Sequence, residues 1–187
     1  MSYPRGRLAT SKQGEGWFQM GLDMYLSTRK YVSQFNYADG EKTTNESFST
    51  LVNLSGVEGL TKYSEFSGIS VSYPIGYWRK ANAIHGWFVN TLAGGVDECQ
   101  EIHVPRVALV DLLAACKAVL SVSAGVSKQD VADEFGLMPT EGFFFGGYEL
   151  DEYYDQDIKY TIEMIEHILS LIPEDDYNWE FIYQASW

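Results

Sequence analysis

The chain reads as one α+β domain: mainly antiparallel sheet, with three to four helices packed on it. Three observations predict this. The segment after residue 20 alternates apolar and polar residues over short runs, the period of strands. From Tyr77 the period lengthens to about 3.6, the period of helices. The chain's 187 residues, 45% of them hydrophobic and 15% aromatic, can fill one core, whereas two domains would each be small.

Residues 1–19 are polar, contain glycine and show no apolar period, so they read as a flexible leader ahead of a domain spanning 20–187. Leu22 to Leu26 and Lys30 to Ser33 suggest two strands. Asn36 to Asn45, with Asp39-Gly40, reads as a loop. Ser47 to Leu54 alternates through Phe48, Leu51 and Val52, and Ile69 to Ser72 precedes Pro74; both are expected as strands. In Tyr77 to Leu92, Ala81, Ile84, Phe88 and Leu92 recur at helical spacing, and Gly94-Gly95 supplies a stop. Gly86 inside that helix costs about 1 kcal/mol relative to alanine, which implies that something packs closely there.

Cys99 to Val104 is a further expected strand, and Pro105 suits the first position of the helix that follows, with Leu109, Leu112, Leu113, Cys116 and Leu120 as its apolar stripe. Ser127 caps a shorter helix that Gly136 ends. Phe143-Phe144-Phe145-Gly146-Gly147 is a brief aromatic strand or loop. Asp151 to Ile172 is the last helix, with Ile158, Ile162, Ile165, Leu169 and Ile172 inward, and Trp179 to Tyr183 is expected to add a strand to the sheet.

Charge narrows the function. The net charge is −13, and residues 151–187 hold ten Asp/Glu against one Lys, so the acid is concentrated at the end of the chain. Such a field repels nucleic acid and suits a partner with a basic surface, unless the carboxylates merely solvate a helix face. Asp151, Glu152, Asp155 and Asp157 are the candidate partner-binding residues. Two cysteines, Cys99 and Cys116, make no disulfide framework, and no apolar run reaches the roughly 20 residues that span a bilayer. A cytoplasmic protein with no membrane partner is expected.

Two stretches carry candidate chemistry. In Gly76 to Val89, a helical projection puts Asn82, His85 and Val89 within about 40° of Trp78, with Arg79 at the border. Trp78, Arg79, Asn82 and His85 combine an aromatic plane, a fixed cation, an amide and a titratable ring, the inventory of a small-ligand pocket or of a structural polar network. In Pro139 to Asp157, glycines flank three phenylalanines, and Phe144, Tyr148, Asp151 and Tyr154 complete the candidate ligand set; core filling is the alternative for the rings. His85 with Asp151 or Asp157 would make an acid–base pair if they touch. Asp97-Glu98-Cys99 with His103 contains ligand atoms in no zinc spacing, and nucleophile-elbow and phosphate-loop motifs are absent, so no metal, cofactor or catalytic residue is assigned.

Met20 to Leu26, Gly76 to Val89 and Pro139 to Asp157 resemble the three signature stretches of an uncharacterised family of small proteins encoded by bacteriophages and prophages. Members of that family tend to start at the equivalent of Met20. The resemblance implies action inside a bacterial host cell and assigns no residue a role. Three functions are compatible with these stretches. The first is a non-enzymatic accessory protein that counteracts a host defence by binding a basic surface on one of its components. The second is a sponge for a nucleotide-like signal, whose sign would be a pocket that stays positive. The third is a nucleotide- or phosphate-directed enzyme using His85. Exposed aromatics such as Trp187 are compatible with a homodimer.

Overall fold

The structure, a computed structural model, describes residues 21–38, 40–57, 68–142 and 147–187. The expected leader, Met20 at the start of the expected domain and all of the Phe143 to Gly147 stretch but Gly147 lie outside them.

The chain is α+β. Strand β1 (Asp23–Ser33) is one strand where two are expected, because Ser27, Thr28 and Arg29 are carried through by ladders on both sides. Its inward residues Met24, Leu26 and Thr28 are buried, while Tyr25 between them is exposed. One face of the sheet therefore meets the helices and the other meets solvent. Strand β4 (Gly68–Arg79) runs antiparallel beside β1 with Ile75 as an extra residue between the Leu26–Gly76 and Ser27–Pro74 pairs. Proline is tolerated there because β4 lies at the sheet edge. Gly76 leaves room for the Met164 sulfur, which a Cβ would meet at 2.3 Å.

Strands β2 (Phe35–Ala38) and β3 (Glu41–Thr44) form a separate hairpin where a loop is expected, and Gly40 at its turn has φ 81°. An Asp-Gly dipeptide is a hairpin signal as much as a loop signal. The expected strand over Ser47 to Leu54 is helix α1 (Glu46–Ser55). Its ends explain this: Asn45 accepts from the Ser47 amide at 3.0 Å, and Gly56 closes the helix at φ 69°. Phe48, Leu51 and Val52 fit a helical face as well as an alternating one.

The helix expected from Tyr77 begins five residues later. Tyr77 and Trp78 still pair with Tyr25 and Met24 across the β4–β1 ladder, and Lys80, at φ 60°, turns the chain into α2 (Asn82–Leu92). The close neighbour that Gly86 implies is Thr140: an added Cβ would lie 2.3 Å from its methyl group.

Strand β5 (Ile102–Val104) is shorter than expected, and Pro105 caps α3 (Arg106–Leu120) rather than opening it. Ser127 caps α4 (Lys128–Glu134), accepting from the Asp130 amide, and Gly136 follows at φ 67°. Asp151 caps α5 (Glu152–Leu171), whose buried face is Tyr154, Ile158, Thr161, Met164, Ile165 and Ile168. Strand β6 (Trp179–Ser186) sits inside the sheet, giving the order β4-β1-β6-β5 with every pair antiparallel. The core between sheet and helices gathers Leu22, Met24, Trp78, Phe88, Leu112 and Tyr183.

Candidate functional site

The Gly76 to Val89 stretch divides where strand becomes helix, and its polar residues go to different places. Trp78, on the inward face of β4, is 2% exposed. Its indole N–H donates to Thr161 Oγ1 at 2.9 Å, and its ring meets Phe88 edge-on at 6.1 Å. It is a core residue with its one donor satisfied.

His85 lies on the same sealed side. Its Nδ1 is 2.7 Å from the Tyr183 hydroxyl and its Nε2 is 3.0 Å from Asp97 Oδ2, with the Trp187 ring edge-on at 5.8 Å. A carboxylate only accepts, so in the neutral ring Nε2–H donates to Asp97 and Nδ1 accepts the Tyr183 proton. The carboxylate expected beside His85 was Asp151 or Asp157; the structure puts Asp97 there instead, brought by the loop after α2. Burial pushes the Tyr183 hydroxyl well above its ordinary pKa, with Asp97 adding to the shift. His85 is 2% exposed, and this network ties α2, the 96–99 loop and β6 together.

Arg79 and Asn82 lie on the other side, at the mouth of a cleft of about 380 Å³. The left-handed turn at Lys80 makes the division: the Lys80 amide donates to Leu22 O at 2.8 Å, and its carbonyl accepts from the Asn82 amide at 2.9 Å. Arg79 emerges beside Asp23 at 3.3 Å and remains half exposed. Asn82 is buried; its Nδ2 donates to Gly147 O at 2.8 Å, and its carbonyl accepts from Thr140 Oγ1 at 2.9 Å. Those two bonds hold both ends of the 139–147 segment against α2.

The opposite wall is the start of α5. Asp151 lines the cleft, but Oδ1 is committed to the amides of Tyr153 and Tyr154, each at 3.0 Å. The Tyr154 hydroxyl donates to Leu137 O at 3.0 Å, which stands the ring upright in the wall. Asp157 and Lys80, which the sequence did not single out as ligand residues, complete the lining along with Glu149 and Gln156. Burial, with Asp151 adding to it, pushes the Asp157 carboxyl up to about 6.

Four of the eight candidate ligand residues, Arg79, Asn82, Asp151 and Tyr154, therefore share the cleft. Trp78 and His85 are turned inward, Tyr148 is exposed outside the lining with its hydroxyl bonded to Gly142 O, and Phe144 is outside the described residues. Of the four candidate partner-binding carboxylates, Asp151 caps a helix, Asp155 pairs with Lys128, Asp157 faces the cleft, and Glu152 stands on the open surface.

The cleft carries both signs of charge. Arg79 and Lys80 lie on one wall, joined by the first turn of α2, which has no side-chain cap because Ala81 occupies that position. Glu149, Asp151 and Asp157 lie opposite, so the cleft is positive along one wall only. Among the described residues no group of three or more His, Cys, Asp or Glu side chains is placed to hold a metal, and no helix is long and apolar enough to cross a membrane. Comparison with family models, with curated proteins and with solved structures finds no match to this chain.

Proposed function

We propose that the chain is a binding protein whose cleft takes up a small, nucleotide-like signalling molecule. One observation carries this: the cleft sets two cations and an uncapped helix N-terminus opposite hydrogen-bonding carboxyls. An anionic group fits the first wall, where Arg79 can offer a planar fork beside Lys80 and the positive end of the α2 dipole lies in the lining. Hydroxyl or amino groups fit the second, where Asp157 can exchange between donor and acceptor near pH 6. The volume lies within the roughly 300–1,000 Å³ of small-molecule sites. A backbone held left-handed at a lysine beside the cleft, and a carboxyl displaced from its ordinary range inside it, are both features that cluster at functional sites.

The test is thermal unfolding against a panel of nucleotides and cyclic nucleotides, with Arg79→Ala and Lys80→Ala beside the wild type. A ligand at 100 times its dissociation constant stabilises the fold by about 2.7 kcal/mol, which is a rise of about 5–10 °C for a chain of this size. The rise should shrink in both variants. A flat panel with a folded protein overturns the cleft as a nucleotide site.

A second function is favoured by the surface of α5. Its outward side carries Glu152, Glu163 and Glu166 flanked by the exposed rings of Tyr153 and Tyr160. Among the described residues only Glu166 of these three has a cationic partner, Lys117. Carboxylates beside tyrosines suit an arginine- and lysine-rich protein surface. On this account the chain acts without chemistry in the cytoplasm of a bacterial host, as a phage accessory protein that occupies a basic surface of a defence component. Its complex would weaken with salt and be lost on the double charge reversal Glu152→Lys and Glu163→Lys.

A further inference from the structure

The two edges of the sheet differ. Strand β5 has three residues, too few to template another strand, whereas β4 has twelve, and among the described residues only β1 pairs with it. Long free edges are normally blunted by charge, proline or bulges. Pro74 and the extra Ile75 do this midway along β4, and the run before them is left unblunted. The run Ile69-Ser70-Val71-Ser72-Tyr73 has neither proline nor charge, in a chain of net charge −13. Its side chains are open to solvent: Val71 is 40% exposed and Tyr73 68%. On the helix-facing side of the sheet, Val71, Tyr73 and Ile75 join Val32, Leu171 and Trp179 in an apolar groove of about 720 Å³.

The run is self-complementary. About a two-fold axis through Val71, an antiparallel pairing of two β4 strands sets Val71 against Val71 of the second copy, Ile69 against Tyr73, and Ser70 against Ser72. Directly opposed residues in an antiparallel pair share a face, so every apolar residue meets an apolar one on the groove side and every serine meets a serine on the other. A one-residue slip would oppose each apolar residue to a serine and turn the second copy's groove to the other face, so the pattern also fixes the register. Two-fold pairing is the closed arrangement that such a self-complementary strand permits.

We infer that the chain forms a two-fold dimer by joining its β4 strands edge to edge, so that the two four-stranded sheets become one and the two apolar grooves meet across the axis. The charge-free run is where two copies of a strongly acidic chain can approach at least cost, and because each still repels the other at long range, added salt strengthens the dimer.

Light scattering of the full chain over a wide concentration range tests this. Wild type should show twice the monomer mass, held to lower concentration as salt rises, and Val71→Lys, which sets two like charges across the axis, should halve that mass. Should Val71→Lys not fold, Val71→Cys in a Cys99→Ser background decides. On oxidation it should give a disulfide-linked dimer, since the two substituted positions face each other, while Ser70→Cys in that background should not. A folded wild type that stays monomeric, a dimer that survives Val71→Lys, or a dimer that Val71→Cys fails to cross-link would each overturn the inference.

Discussion

Arg79 and His85 stand six positions apart in one polar stretch, yet they meet opposite environments. Arg79 is half exposed at the edge of the cleft with Asp23 as its ion-pair partner, whereas His85 is sealed between Tyr183 and Asp97 with both ring nitrogens engaged. Asn82 lies between them in sequence and in role, lining the cleft while holding the 139–147 segment in place. The lesson is that a run of chemically capable residues is not by itself a site. The left-handed turn at Lys80 sends part of the run outward, and the helix that follows carries the rest into the core.

The largest effect that can break this comparison is expected at His85. Replacing it with alanine removes both hydrogen bonds, leaves the buried Tyr183 hydroxyl without this partner and opens a cavity. The expected loss is about 3 kcal/mol of folding stability. Urea unfolding measures it, and any ligand-induced stabilisation should survive in the fraction that remains folded. If His85→Ala instead abolished ligand stabilisation while leaving the midpoint in place, the division between a sealed and an open half would be wrong.

How much of this is legible in the sequence follows from what each signal encodes. The helix caps at Ser127 and Asp151 are local, one side chain bonding amides two or three residues away; Ser127 caps as expected, whereas Asp151, expected inside the last helix, caps it instead. The boundary between β4 and α2 is not local. Tyr77 and Trp78 fit a helical period, but pairing with Tyr25 and Met24, more than fifty residues earlier, decides for strand. The partner of His85 is hidden for the same reason: Asp97 reaches it through a loop conformation that includes a left-handed Cys99, at φ 57°, which no spacing rule predicts. Arg79, Asn82, Asp151 and Tyr154 could be grouped by chemistry alone. Lys80 was visible beside Arg79, while Asp157 stood among many carboxylates, and only its partial burial singles it out.

A smaller effect sharpens the account of the cleft. Asp157 is held at about 6, above the roughly 3.9 of a free aspartate, by burial and by Asp151. The folded chain therefore keeps a proton that the unfolded chain has released between about pH 4 and 6, and stability falls as pH rises through that window. The charged groups that share the cleft with this carboxyl are Arg79 and Lys80 on the opposite wall and Glu149 and Asp151 on its own. Asp157→Asn should raise stability by about 1–2 kcal/mol at pH 7.5, after allowance for solvent screening, and by close to nothing at pH 4. Thermal melts at the two pH values measure it. An equal effect at both would mean that the proton is not the cause.

The smallest expected effect separates strain kept for folding from strain kept for binding. Among the described residues two non-glycines have positive φ: Lys80 at 60° and Cys99 at 57°. Glycine adopts such dihedrals without the Cβ clash but loses more backbone entropy on folding, so each replacement should stabilise by about 0.5–1 kcal/mol. The two positions differ in what else they supply. The Cys99 carbonyl accepts from Gln184 Nε2 at 2.9 Å, a backbone bond that glycine preserves, whereas Lys80 puts an ammonium group on the cleft wall. Cys99→Gly should therefore gain stability and keep full ligand stabilisation, while Lys80→Gly gains the same stability and loses part of the ligand response. If both variants kept the full ligand response, the lysine would be bystander to the cleft, and the left-handed turn would serve only to carry β4 into α2.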